Sequence, residues 1–492
     1  MTNTAPLRSA LTAAPLNSPH LLTRDSGASL VEQIVRMVET RIDDKLLRTG
    51  ARMPSIRQFA DLHGVSRFTV VEAYDRLVAK AYLESRRGSG FYVRDRSPLH
   101  NNPAGGLPQR ATAAEPQQLD VVWLVRNMFR QHPHHKMPGS GLLPNDWLDG
   151  ELVANALRAL SRENHHLLLQ YGNPQGFLPL RQQLQLKLAE LEIAAAPEQI
   201  VTTAGVTQAL DLVARHFLQP GDTVFVDDPA WFLMFGSFAT MGARVIGIPR
   251  LPDGPDLERL AELAELHQPK LYVINSVLHN PTSTSLSAAK AFQILKIAEQ
   301  HGFMIVEDDI YCDMHPGSAV QPATRIASLD QLQRVIYLGG FSKTLSANLR
   351  VGFIATSHEL ARTLSDRKML STLPTSEIGE RVVYKVLSEG HYRKHADRLR
   401  SKLAGAREKS VRQLERAGIT VDISSAAGMH LWVETGVDTN VLAEKAIAQG
   451  YLLAPGSLFS PTQLPSTRMR INIATALEPV LLRFLEQEIG LG

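Results

Sequence analysis

Lys343 and Arg350 stand seven residues apart in VIYLGGFSKTLSANLRVG (335–352), just past an apolar run. An amine placed there can condense with an aldehyde, and a guanidinium a short loop away can grip a phosphate with two parallel hydrogen bonds. By themselves they would read equally well as a solvated lysine and arginine on a surface turn. Four other segments supply complementary groups. Glu307-Asp308-Asp309-Ile310-Tyr311 sets a carboxylate and a phenol three residues apart, His279-Asn280-Pro281-Thr282 offers an amide before a turn, and Asp227-Asp228-Pro229-Ala230-Trp231 ends in an aromatic that can stack on a ring. Thr203-Ala204-Gly205-Val206-Thr207-Gln208 opens a helical pattern, so its backbone N–H groups can bind an anion.

Such groups act together only if the fold brings them to one place. The runs 224–226, 271–274, 303–306 and 335–338 are short, apolar and unbroken, as strands covered on both faces are, and Gly339 and Gly340 are expected to break the fourth. Each is separated from the next by enough chain for a crossover helix, which predicts an α/β fold with a largely parallel sheet. Ligands of such sheets bind beyond the carboxyl ends of the strands, where Trp231, Asn280, Asp308, Tyr311, Lys343 and Arg350 fall. Pyridoxal 5'-phosphate needs this whole set: a lysine for its aldehyde, a carboxylate for its pyridine nitrogen, donors for its phenolic oxygen, and a helix terminus with an arginine for its phosphate. Asp308 could be a turn acid, Trp231 core, Asn280 an Asx-turn residue and Gly205 a helix start, but their joint occurrence in order favours the cofactor.

A chain of 492 residues exceeds one ordinary core, so two or three domains are expected. The single cysteine, Cys312, excludes an intramolecular disulfide framework and a Cys-rich zinc site, and points to a reducing cytoplasm. Residues 1–26 lack the basic start and long apolar core of a signal peptide and read as a mobile extension. No uncharged apolar run of about 18 residues occurs, so no membrane span is expected. Net charge is only +3, yet residues 28–96 carry 13 Lys or Arg against 9 Asp or Glu, an excess that invites a nucleic-acid partner.

In that basic stretch Leu30, Ile34, Val38 and Ile42 recur every four residues, the mark of an amphipathic helix. Ser55 and Gln58 make a capping-box pattern for a second helix, Gly64-Val65-Ser66 breaks it, and Ser66 can cap a third whose Val70, Ala73, Tyr74 and Leu77 keep helical spacing. Two helices joined by a tight glycine turn form a helix-turn-helix. YLESRRGSGFYV then reads as a two-stranded wing with Arg86 and Arg87 near its tip. Ser66, Arg67 and Thr69 have the chemistry to reach base edges of double-stranded DNA, and Arg57, Arg86 and Arg87 to reach its phosphates. From Ser97 onward four prolines and little apolar content mark a linker, 97–119, with an end-to-end reach on the order of 25 Å if flexible.

The run PSIRQFADLHGVSRFTVVEAYDRLVAKAYLESRRGSGFYV is similar to the winged-helix domain of GntR-type bacterial regulators, departing from them at Arg48-Thr49-Gly50, where a proline usually precedes the glycine. Residues 120–492 resemble a fold-type I, aspartate-aminotransferase-like domain. That resemblance implies Lys343 as the cofactor-binding lysine, Asp308 as partner of the pyridine nitrogen, Tyr311 and Asn280 as partners of the phenolic oxygen, and Trp231 as the stacking ring. It implies a phosphate cradle of Gly205, Val206, Thr207, Ser342 and Arg350, and Arg470 as the grip on a substrate carboxylate. Tyr171 resembles a tyrosine that reaches a neighbouring subunit's phosphate, which implies a homodimer. Gly340 departs from the pattern, since a phosphate-binding serine often stands three residues before the lysine. A winged helix at 27–96, a linker and an aminotransferase-like domain together resemble the MocR-type transcription regulators, with an amino acid, an amine or the cofactor as effector. The alternative is a working aminotransferase carrying an accessory DNA-binding module.

Overall fold

The computed structural model describes residues 22–23, 27–86, 88–95, 125–127, 133–162, 169–317, 323–422, 424–475 and 479–490. Arg87 and the expected linker 97–119 lie outside the described residues. The chain divides into two compact units, 1–114 and 115–492.

In the smaller unit, α1 (Leu30–Asp43) starts at Ser29, whose side chain accepts from Glu32 N while Glu32 accepts from Ser29 N. α2 (Ile56–His63) opens on the Ser55–Gln58 capping box and closes at Gly64 with φ +60°. α3 (Arg67–Ala79) is capped by Ser66. Strands β1 (Leu83–Arg86) and β2 (Gly90–Val93) form an antiparallel hairpin with Arg86 opposite Gly90. Ile34, Val38, Phe59, Val70, Ala73, Tyr74 and Leu77 are fully buried. Tyr74 ties the elements together: its hydroxyl donates to Pro54 O at 3.1 Å, and its ring meets Phe59 and Phe91 edge-on. The turn at Arg48-Thr49-Gly50 forms without the proline, closed by Ala51 N donating to Arg48 O.

The larger unit is built on an eight-stranded sheet of β3 (Ile200–Thr203), β4 (Thr223–Asp228), β5 (Arg244–Leu251), β6 (Gly254–Pro255), β7 (Leu271–Ile274), β8 (Met304–Asp308), β9 (Val335–Gly340) and β10 (Gly352–Ala355), in the order β3-β10-β9-β8-β7-β4-β5-β6. The four strands expected from the sequence, β4, β7, β8 and β9, are consecutive and parallel. Both faces are covered, because alternate residues of each enter different cores: Val224 and Val226 face one, Phe225 the other. β10 runs antiparallel between β9 and the edge strand β3, and β6 runs antiparallel at the other edge.

One expectation is corrected here. Gly339 and Gly340 do not break the fourth strand; β9 continues through both, paired with Phe353 and Gly352 of β10. They are glycines because of what lies across the sheet: a side-chain carbon at Gly339 would come 2.5 Å from the Phe353 ring.

A second, four-stranded antiparallel sheet has the order β11 (Thr420–Val421), β12 (His430–Glu434), β14 (Arg468–Asn472), β13 (Ala454–Pro455). It brings Arg470 of β14 opposite Trp432 of β12.

Candidate functional site

A cavity of about 700 Å³ opens at the carboxyl ends of β4, β7, β8 and β9. Val206, Thr207, Trp231, Asn280, Asp308, Tyr311, Ser342, Lys343 and Arg350 all line it.

Asp308 ends β8 and accepts from Ile310 N at 3.1 Å. Burial pushes its carboxyl up to about 7, reinforced by the neighbouring Asp309 and opposed by the Ile310 N–H and Lys343. Asn275, which the sequence reading missed, joins two site segments: its amide donates to Asp308 O and accepts from Asn280 N. Its only sequence signal is that it follows β7 directly. Tyr311 is buried, with its ring edge-on to His430 at 5.7 Å. Burial raises the Tyr311 phenol, so it remains a protonated donor at neutral pH.

Lys343 donates from Nζ to Gly141 O at 2.9 Å. Burial first, then the Arg470 and Arg350 cations, lower its ammonium to about 8 against the pull of Asp308. Arg470 is only 1% exposed; Nη1 donates to Asn280 Oδ1 at 2.9 Å and Nη2 to Gly139 O at 2.7 Å. With Oδ1 so engaged, Asn280 has its Nδ2 donors left for a ligand. A side-chain carbon at Gly141 would lie 3.6 Å from Arg470 Nη2 and 3.8 Å from Lys343 Nζ, so both cations face one small volume. The strip carrying Gly141 is itself tied to β14, because Asn472 Nδ2 donates to Ser140 O and Leu142 O and Asn472 N to Pro138 O. Neither Gly141 nor Asn472 has a motif that would reveal it, for Gly141 works through Lys343, 202 positions away, and Asn472 through Leu142, 330 positions away.

Also at the cavity, α4 (Val206–Phe217) starts from Gly205 at φ +80° with no side chain capping it. Its first N–H groups are therefore open to an anion. Arg350, itself at φ +52°, donates from Nη2 to Ala204 O at 2.8 Å, directly over Gly205. Trp231 precedes α5 (Phe232–Thr240) in an extended conformation and presents its ring to the cavity. Gly340 is closely packed, with Ile310 Cδ1 at 3.0 Å and Gly352 Cα at 3.3 Å from where a side-chain carbon would be, which leaves little room for a serine. Tyr171 is not brought to this cavity; it is 80% exposed. Neither Gly205 nor Arg470 lines the cavity, and both stand behind residues that do. The groups around the cavity fit pyridoxal 5'-phosphate: an uncapped helix start with an arginine, a buried carboxyl, a lysine and an amide.

In the smaller unit Ser66 and Thr69 are partly engaged already: Ser66 Oγ accepts from Thr69 N at 3.0 Å, and the two hydroxyls are 2.7 Å apart. Arg67 is exposed at the start of α3. Arg57 makes only a long, exposed pair with Asp61 at 3.9 Å. Arg86 is held by Glu84 and lies 4.4 Å over the Tyr92 ring.

Two family descriptions match the chain: "Bacterial regulatory proteins, gntR family" over residues 30–93 and "Aminotransferase class I and II" over residues 139–487. This chain belongs to the class I and II aminotransferase family, as a MocR-type regulator. Like it in both halves is the uncharacterized HTH-type transcriptional regulator YdfD of Bacillus subtilis, 28% identical with 90% of this chain and 92% of the relative covered. The probable rhizopine catabolism regulatory protein MocR of Rhizobium meliloti is also 28% identical, over 88% of each chain. Among solved structures, α-aminoadipate aminotransferase from Thermus thermophilus, complexed with N-(5'-phosphopyridoxyl)-L-leucine, superposes with a TM-score of 0.67 at 26% identity, covering 74% of this chain and 94% of that one. The MocR-type chain is thus a DNA-binding regulator with an aminotransferase-like domain, and its cofactor is pyridoxal 5'-phosphate. No helix among its described residues is long and apolar enough to cross a membrane.

Proposed function

We propose that the chain is a sequence-specific, cytoplasmic transcription regulator that works as a homodimer, holds pyridoxal 5'-phosphate on Lys343, and senses an amino acid, an amine or the cofactor itself. We take 27–96 as the DNA-binding domain, 97–119 as the linker and 120–492 as the effector domain. The observation that carries this reading is the convergence of Lys343 and Arg470 on the space beside Gly141, in a chain whose other unit is a winged helix.

When bound, the cofactor supplies an aldehyde for the lysine and an electron-withdrawing ring. The chain's own residues do the rest. Lys343, lowered to about 8, is readily deprotonated and so nucleophilic near neutral pH. Asp308 holds charge against the pyridine nitrogen, Tyr311 and Asn280 donate to the phenolic oxygen, and Trp231 covers the ring. Gly205, Val206, Thr207, Ser342 and Arg350 hold the phosphate, and Arg470 takes a carboxylate of the effector. Tyr171, exposed in one chain, would serve the phosphate of a second.

The test uses the full chain with pyridoxal phosphate and its own promoter region as the DNA. Wild type should gain visible absorbance, which borohydride should bleach while fixing the cofactor covalently to the chain, and Lys343→Ala should show neither. Adding amino acids that change that absorbance should change DNA affinity in wild type but not in Arg470→Ala. Absorbance that never appears would overturn the cofactor role of Lys343; an amino acid that alters absorbance yet leaves DNA affinity untouched would overturn sensing. Because the catalytic positions of an aminotransferase are all present, steady conversion of such an amino acid at roughly 1 s⁻¹ or faster would instead favour the enzyme reading.

A further inference from the structure

Phe68 is the second residue of α3, and its side chain is 76% exposed. Among the described residues of the smaller unit, only Leu46 and Phe68 are large apolar side chains left in solvent. Phe68 is also at the end of the helix from which a helix-turn-helix reads base edges. Its neighbours there differ from it in kind. The Ser66 and Thr69 hydroxyls are paired with each other, and Arg67 is a polar reader suited to guanine. Glu72, one turn further on, is paired with Arg76 at 2.6 Å and so does not present an unpaired charge to a phosphate.

A phenyl ring cannot donate or accept a conventional hydrogen bond. The one apolar mark that distinguishes a base pair in the major groove is the C5-methyl group of thymine. We infer that Phe68 is a base-reading residue that packs on a thymine 5-methyl group, in the half-site where Arg67 contacts its own base pair. This rests on the DNA-binding reading of α3. It adds a specificity determinant with a chemical identity: methyl present or methyl absent.

The methyl can be removed without changing base pairing, by replacing thymine with deoxyuridine. The preferred duplex is first selected from a random-sequence library with the full chain, then each thymine is replaced in turn. Wild type should lose about fourfold in affinity at one or two thymines, the effect expected for one buried methyl group. Phe68→Ala should bind the thymine and deoxyuridine duplexes equally, and Phe68→Leu should keep part of the preference. 5-Methylcytosine in place of cytosine at a position that tolerates it should raise wild-type affinity only. An equal deoxyuridine penalty in wild type and Phe68→Ala would assign the methyl to another residue and overturn the inference, as would no penalty anywhere. A Phe68→Ala loss that is the same on every sequence, or a change in its oligomeric state, would also overturn it in favour of a structural or subunit-contact role. If the selection returns no preferred duplex at all, the DNA-reading role of α3 fails first, which is a separate result.

Discussion

Arg350 Nη2 lies where a side-chain carbon on Gly205 would be only 2.7 Å away. The residue at 205 must therefore lack a side chain for two reasons, the guanidinium above it and its own φ of +80°. Gly205→Ala should leave the fold largely intact while displacing Arg350 from the helix start. Charge-assisted bonds of this kind are worth about 1.5–3 kcal/mol, so cofactor affinity should fall roughly 10- to 100-fold. Equilibrium titration of the visible absorbance checks this; unchanged affinity would separate Arg350 from the phosphate.

Burial raises the Asp308 carboxyl from the ordinary range to about 7 in the cofactor-free protein. The unfolded chain ionises that group near pH 4, so folding takes up a proton between about pH 4 and 7. The stability conferred by the neutral carboxyl is present below pH 4 and is lost as pH rises through 7. Asp308→Asn should thus match wild type near pH 4 and exceed it by about 4 kcal/mol at pH 8, about three pH units at roughly 1.4 kcal/mol each. Denaturant titrations with Lys343→Met in both arms remove the second titrating group. A difference independent of pH would refute the assignment.

Arg67 and Arg57 are expected to act on DNA in different ways. Arg67→Ala should cost about 1–3 kcal/mol on the preferred duplex and relax the choice of base at one position. Arg57→Ala should weaken binding to all sequences and reduce the salt slope by about one. Arg86, held by Glu84 and Tyr92, should behave like Arg57 but with a stiffer side chain. Affinities measured across a salt series on preferred and scrambled duplexes distinguish these outcomes.

Ser66 caps α3, and its hydroxyl is bonded to Thr69. Ser66→Ala should therefore cost about 1 kcal/mol of local stability, seen as faster hydrogen exchange in the first turn of α3. Ser66→Asp should restore the cap but weaken DNA binding by bringing an anion to the polyanionic duplex. If Ser66→Asp bound DNA as well as wild type, Ser66 would have no place at the base edges.

The elements read correctly from sequence were those with local causes. Ser55 with Gln58, Gly64 and Ser66 each announce a helix boundary within four residues, and the runs that became β4, β7, β8 and β9 declare double-sided burial by their own composition. Asp308 was legible because it ends a strand, and Lys343, Asn280 and Trp231 because each comes shortly after one. What was not legible depends on distant partners. β3 and β10 are four-residue strands joined to each other across about 150 residues, and Gly339 continues β9 only because Phe353 lies opposite it. Gly141 acts through its own carbonyl, and the side-chain amides of Asn275 and Asn472 bond to backbone atoms of distant segments, which leave no pattern in residue type.

The tie between Asn472 and the strip at 138–142 has a consequence for synthesis. A ribosome delivers the whole winged helix once Val93 has emerged, but the carbonyl that receives Lys343 is not held in place until β14 follows some 380 residues later. A nascent or prematurely terminated chain would carry the DNA-binding module before it could retain the cofactor. Chains halted near residue 460 and assayed for both properties should bind DNA yet retain no cofactor after borohydride treatment, making such fragments ligand-blind competitors of the complete regulator.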